Sequence, residues 1–155
     1  MISGVSHMTF IVQNLDKATE FFQTIFSARI VYDSGSRTFS LSRERFFLVG
    51  SLWLVIMEGP SLPEQTYNHI AFQISDGEFE AYKERLTKAG VPMREARSRI
   101  PGEGRSLYFY DYDNHLFELH TGTLEERLAF RRKENRPNSI PLGKMKTHPV
   151  RRDFA

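Results

Sequence analysis

His7 and His69 stand 62 residues apart, each in a short segment of alternating polar and apolar character, GVSHMTF over residues 4–10 and YNHIAF over residues 67–72. Glu118 lies in a third such segment, HLFELH over residues 115–120. Two imidazoles and one carboxylate make a three-ligand set that leaves coordination positions open to water or substrate, as catalytic metal sites require. A lone histidine in a strand is usually a hydrogen-bonded structural residue. Here the two histidines occupy matching places in a repeat, and Glu118 sits between Phe117 and Leu119. An inward carboxylate in an apolar strand needs a cation or a donor. The ligand types leave Fe(II), Mn(II), Zn and Ni all open. His120 shares Glu118's strand face and reads as a neighbour of the ligand, while His115, in the turn Asp113-Asn114-His115, reads as solvent-facing.

Around this triad, Ser106 and Tyr108 project to one side of their strand and Leu107 and Phe109 to the other. A hydroxyl pair on the cavity side suits an oxyanion such as a phosphonate. Arg127 lies one turn into a helix that opens on the capping box Thr123-Leu124-Glu125-Glu126, where its guanidinium could add a bidentate fork. Arg94, Arg97 and Arg99 form a cationic loop ahead of Gly102-Glu103-Gly104, which reads as a flap near a ligand. Glu44, in Ser42-Arg43-Glu44-Arg45-Phe46, has by composition the look of a plain surface charge.

The elements that must position these residues form two copies of one plan. Residues 4–12 alternate with Met8, Phe10 and Val12 toward the core and His7 and Thr9 opposite. An amphipathic helix follows over 15–28, with Asp16 as its candidate cap and Ala18, Phe21, Phe22, Ile25 and Phe26 as its stripe. Strands are expected near 29–33, 37–42, 46–49 and 51–57. The second copy has a strand at 68–74 with Ile70, Phe72 and Ile74 inward, a helix at about 77–89 capped by Asp76 and stopped by Gly90, and strands near 91–96, 105–111 and 115–121. Two copies only point to a duplicated unit, not a solenoid. Matching Gly59 with Gly122 places Val55 where the second half has Glu118, so the repeat offers three ligands and one apolar corner.

Length and composition bound the rest. A chain of 155 residues, 40% hydrophobic, suits one packed domain. Without cysteine there are no disulfides, thiolate ligands or cysteine nucleophiles. No stretch approaches the roughly 18 apolar residues of a membrane span. The N-terminus lacks the basic segment and apolar run of a signal peptide, so cytoplasm is the expected compartment. The basic pI of about 9.0 comes from residues 131–155, which hold eight lysines and arginines against Glu134 and Asp153. Removing that net +6 from the chain's +2 leaves residues 1–130 at −4, which is no nucleic-acid-binding surface.

These segments together resemble the vicinal oxygen chelate (glyoxalase/bleomycin-resistance) superfamily and, within it, fosfomycin-resistance proteins of the FosX type. The carrying stretches are residues 2–9, ISGVSHMT; 51–54, SLWL; 67–72, YNHIAF; 102–110, GEGRSLYFY; and 113–120, DNHLFELH, leading to GTLEERL. The resemblance covers about residues 1–130. It implies an α+β fold of paired βαβββ modules, about 3–59 and 66–122, with a closing helix at about 123–134, a basic irregular tail over 135–155, and a domain-swapped homodimer. It also implies Mn(II), or another divalent metal, bound by His7, His69 and Glu118, with His7 supplied by the opposite subunit. Thr9, Ser106, Tyr108 and Arg127 match residues that hold phosphonate and oxirane oxygens, and Arg94 is a looser match. Glu44 then becomes a general base for water attack on the fosfomycin epoxide, giving a vicinal diol phosphonate with no nucleic acid or membrane partner. The competing expectations are a thiol transferase using glutathione, bacillithiol or cysteine, a protein that sequesters a drug without chemistry, and an Fe(II) dioxygenase. The tail is longer than the resemblance leads one to expect, and wrapping a dimer is the role expected of it.

Overall fold

The computed structural model describes residues 1–94 and 103–134. Two four-stranded sheets are built from β1 (His7–Val12), α1 (Leu15–Phe26), β2 (Arg29–Asp33), β3 (Glu44–Val49) and β4 (Leu52–Glu58), then β5 (His69–Gln73), α2 (Phe79–Lys88), β6 (Met93–Arg94), β7 (Ser106–Tyr110) and β8 (Leu116–His120). The sheet orders are β1-β4-β3-β2 and β5-β8-β7-β6, the same path twice, with the first and last strand of each module parallel. This is an α+β chain of two βαβββ modules, closed by α3 (Leu124–Glu134). No helix among the described residues is long and apolar enough to cross a membrane.

The alternation in β1 and β5 decides which faces meet. Phe10 and Val12 in the first module and Phe109, Phe117 and Leu119 in the second enter one shared core with the buried stripe of α1. The Phe117 ring lies 5.3 Å from those of both Phe10 and Phe26. Such offset aromatic pairs add to area burial in holding the modules together. His7, Thr9, His69 and Glu118 therefore lie on the opposite faces of their sheets.

Several boundaries differ from the sequence reading, each for a local reason. Asn14, not Asp16, caps α1: its Oδ1 accepts from the Lys17 amide at 2.9 Å, while Asp16 forms an ion pair with Arg45 at 2.7 Å. The helix ends two residues early because Ser27 turns left-handed, with φ 53°. Ser75, not Asp76, starts the turn that leads into α2, since the Glu78 carboxylate accepts from both the Ser75 amide and its hydroxyl. The strand expected at 37–42 does not form; Phe39 and Leu41 are exposed there, with no neighbouring strand to pair. Of 91–96, only Met93 and Arg94 are in strand, and 95–96 fall outside the described residues. Glu44, expected in a break, opens β3. The capping box at Thr123 and Glu126 forms as expected.

Candidate metal centre

Module two assembles one half of the centre. In β5 and β8 the register sets His69 against Leu116 and Ala71 against Glu118, so both ligand candidates face one side. His69 Nε2 stands 2.9 Å from Glu118 Oε2. The other ring nitrogen, Nδ1, donates to the Tyr67 carbonyl at 2.8 Å, which in a neutral imidazole leaves the Nε2 lone pair aimed at the carboxylate. Two acceptors facing each other need a cation or a proton between them. Ligand atoms at right angles on one ion, each about 2.1 Å from it, are about 3 Å apart, so the pair fits a shared divalent metal.

Glu118 is buried at 5% exposure. Burial pushes its carboxyl up, but hydrogen bonds from Ser106 and Tyr108 and the nearby imidazoles of His120 and His69 outweigh this and bring it below the ordinary carboxylate range. Burial, with hydrogen bonds to Tyr67 and Glu118, raises the Tyr108 phenol well above its usual value. Ser106 was expected to present its hydroxyl to an oxyanion, but in this chain it donates to Glu118 Oε1 and stands 2.7 Å from His120 Nδ1. His120 is thus a neighbour of the carboxylate, as its strand face suggests. His115 is not solvent-facing: its Nδ1 meets Asp111 Oδ2 at 2.8 Å and its ring packs edge-on against Phe10.

Module one supplies the other residues on the corresponding face. His7 stands opposite Trp53, Thr9 opposite Val55, and Glu44 opposite Met57, with Val55 in the place that Glu118 takes in module two. His7 is exposed and lies against the Trp53 ring at 4.5 Å. Glu44 is 8% exposed. Its neighbours are committed elsewhere, Arg43 to Glu58 and Arg45 to Asp16, Asp33 and Thr19. Among the described residues no hydrogen bond or ion pair engages the Glu44 carboxylate.

Within one chain the triad is not assembled: among the described residues no three His, Asp or Glu side chains cluster as a metal site. Thr9 and His69 line one open cleft of about 560 Å³ between β1 and β5. Arg94 pairs with Tyr108 across the β6–β7 ladder and so shares Glu118's face, next to the Tyr67 ring. Arg127 is half-buried one turn into α3; Arg97, Arg99 and Gly102 lie outside the described residues. Tyr67 and Trp53 were not singled out in the sequence. Tyr67 packs against both His69 and Tyr108, and its one signal was a place two residues before the histidine.

Residues 4–119 match the Glyoxalase/Bleomycin resistance protein/Dioxygenase superfamily. The fosfomycin resistance protein FosX of Listeria innocua is 62% identical over 128 residues, spanning 83% of this chain and 96% of that one. The metallothiol transferase FosB of Shouchella clausii is 41% identical over 135 residues, spanning 83% and 87%. A crystal structure of an E126Q variant of FosX from Listeria monocytogenes, complexed with Mn(II) and 1S,2S-dihydroxypropylphosphonic acid, superposes with a TM-score of 0.78 at 57% identity, covering 84% of this chain and 99% of that one. The chain belongs to the glyoxalase/bleomycin resistance/dioxygenase superfamily and, within it, to the FosX family of fosfomycin resistance proteins.

Proposed function

We propose that this chain confers fosfomycin resistance as a Mn(II)-dependent epoxide hydrolase, with His7, His69 and Glu118 as the metal ligands and Glu44 as the general base. The observation that carries the hydrolytic reading is Glu44, a shielded carboxylate on the face of His7 and Thr9 whose flanking arginines are bound to other partners. The relative's bound diol phosphonate is what water addition to the fosfomycin epoxide yields. Mn(II), when bound, supplies Lewis-acid polarisation of the epoxide oxygen.

Glu44 takes a proton from the water as its oxygen bonds to the carbon bearing the phosphonate. The C–O bond at that carbon breaks, and the released oxygen takes up a proton to become the second hydroxyl. Thr9 and Tyr108 offer hydroxyls to the oxirane and phosphonate oxygens, and Arg94 and Arg127 orient the dianion. His7 reaches the centre from a second protomer, because one chain keeps it apart from the other ligands. The expected compartment is the cytoplasm.

Phosphorus NMR of fosfomycin with the protein and Mn(II), run with and without thiol, tests the reading. The diol should accumulate without thiol, and Glu44→Gln should lower kcat by about 10²–10⁴ with Mn(II) affinity unchanged. Turnover only on adding glutathione, cysteine or bacillithiol would move the chain to the thiol-transferring reading that the FosB likeness keeps in view.

A further inference from the structure

We propose that His120 is a positioning residue for the metal centre, acting through the Ser106 hydroxyl to hold Glu118 with one oxygen turned to the metal. The inference rests on the reading of Glu118 as a metal ligand.

An ionised carboxylate can only accept hydrogen bonds. Ser106 has one hydroxyl proton, and it goes to Glu118 Oε1. The Ser106 oxygen also lies 2.7 Å from His120 Nδ1; with its proton committed, it must accept there, so Nδ1 carries the hydrogen. Donation then runs in one direction, from His120 to Ser106 to Glu118. His120 Nδ1 is itself 3.4 Å from Glu118 Oε1, too far for a good direct bond, so the hydroxyl is the relay. The chain of donors occupies Oε1 and leaves Oε2, the oxygen 2.9 Å from His69 Nε2, for the ion.

The imidazole is seated for this task. Ser106 lies opposite His120 in the β7–β8 register, and a Cβ at Gly122 would come within 2.8 Å of His120 Nε2. Module one has no such device: the places of Ser106, Glu118 and His120 are taken there by Glu44, Val55 and Met57. A polar relay therefore accompanies the ligand-bearing copy alone.

Mn(II) affinity of the full chain, read by electron paramagnetic resonance, tests the proposal alongside fosfomycin kinetics at saturating metal. His120→Gln, whose amide reaches the Nε2 position, should raise the Mn(II) Kd about 10–100-fold with KM for fosfomycin unchanged. His120→Asn, which restores a donor near Nδ1, should stay within a few-fold of the parent. Ser106→Ala should match His120→Gln, and the double variant should lose no more than either alone. Unchanged metal affinity, a rise in KM alone, additive losses, or an Asn variant as weak as Gln would each overturn the proposal. Should His120→Gln fail to fold, judged by thermal melting, Ser106→Ala and His120→Asn carry the same comparison. Glu118→Gln separates the two readings. If it leaves Mn(II) affinity intact the ligand assignment falls; if it weakens binding while the His120 and Ser106 variants do not, only the relay falls.

Discussion

Gly104 and Gly122 let the ends of β7 and β8 approach closely enough to seat the His120 ring. Gly104 has φ 71°, and a Cβ there would lie 2.5 Å from the Gly122 nitrogen. At Gly122 a Cβ would meet the Glu103 carbonyl at 2.9 Å as well as the imidazole. Backbone cannot yield as a flexible side chain does, and a left-handed φ adds strain for any other residue. Gly104→Ala should therefore cost about 2–4 kcal/mol in urea unfolding. Gly122→Ala should cost less in stability yet weaken Mn(II) binding, because it displaces the ring. Gly104 precedes Arg105 and Gly122 follows Thr121, and the Arg105 amide donates to Thr121 Oγ1 at 2.9 Å, so both changes act on the same junction.

At the level of elements, the repeat explains how one plan yields two chemistries. Glu44 and Ser106 both open the third strand of their module, facing Met57 and His120 respectively. Composition alone made Glu44 a surface charge, because the adjacent arginines hid which way it points; the β3–β4 register puts it on the His7 face. Arg45, one residue on, points the other way and joins α1, β2 and β3 through Asp16, Thr19 and Asp33. The Gly35 amide and then Arg45 hold the Asp33 carboxyl below the ordinary carboxylate range. A lowered folded-state pKa gives stability that is present above the unfolded value and lost as pH falls through the folded one. Arg45→Met should lower stability by about 1–2 kcal/mol at neutral pH, and acid unfolding should show the difference shrinking as pH falls below about 4.

At the scale of the molecule, the shared aromatic core turns both faces that carry the ligand candidates outward, and His7 does not reach His69 and Glu118 within one chain. On the proposed ligand set, pairing module one of one protomer with module two of another would complete the set twice in a two-fold dimer. Subunit mixing reads this directly. His7→Ala and Glu118→Gln should each be inactive alone. After reassociation, half of the dimers would be mixed and each would have one intact site, so about a quarter of parental activity should return. No recovery would place all three ligands on one chain. The same mixture should bind Mn(II) at about one site per mixed dimer.

The sequence by itself determined the duplicated modules, the core faces and the identity of the ligand candidates, because period-two alternation and a 62-residue recurrence are written in residue types. The Val55 mismatch was legible for the same reason. It did not determine that residues 37–42 lack a strand, since Phe39 and Leu41 have strand-like character but no neighbour to pair with. Nor did it show that His115 is packed on Phe10, or that the Ser106 proton belongs to Glu118. Those facts depend on contacts across the sheet and between modules. Tertiary structure alone decided them, because hydrogen-bond direction and ligand assembly follow from which faces meet in space and not from order along the chain.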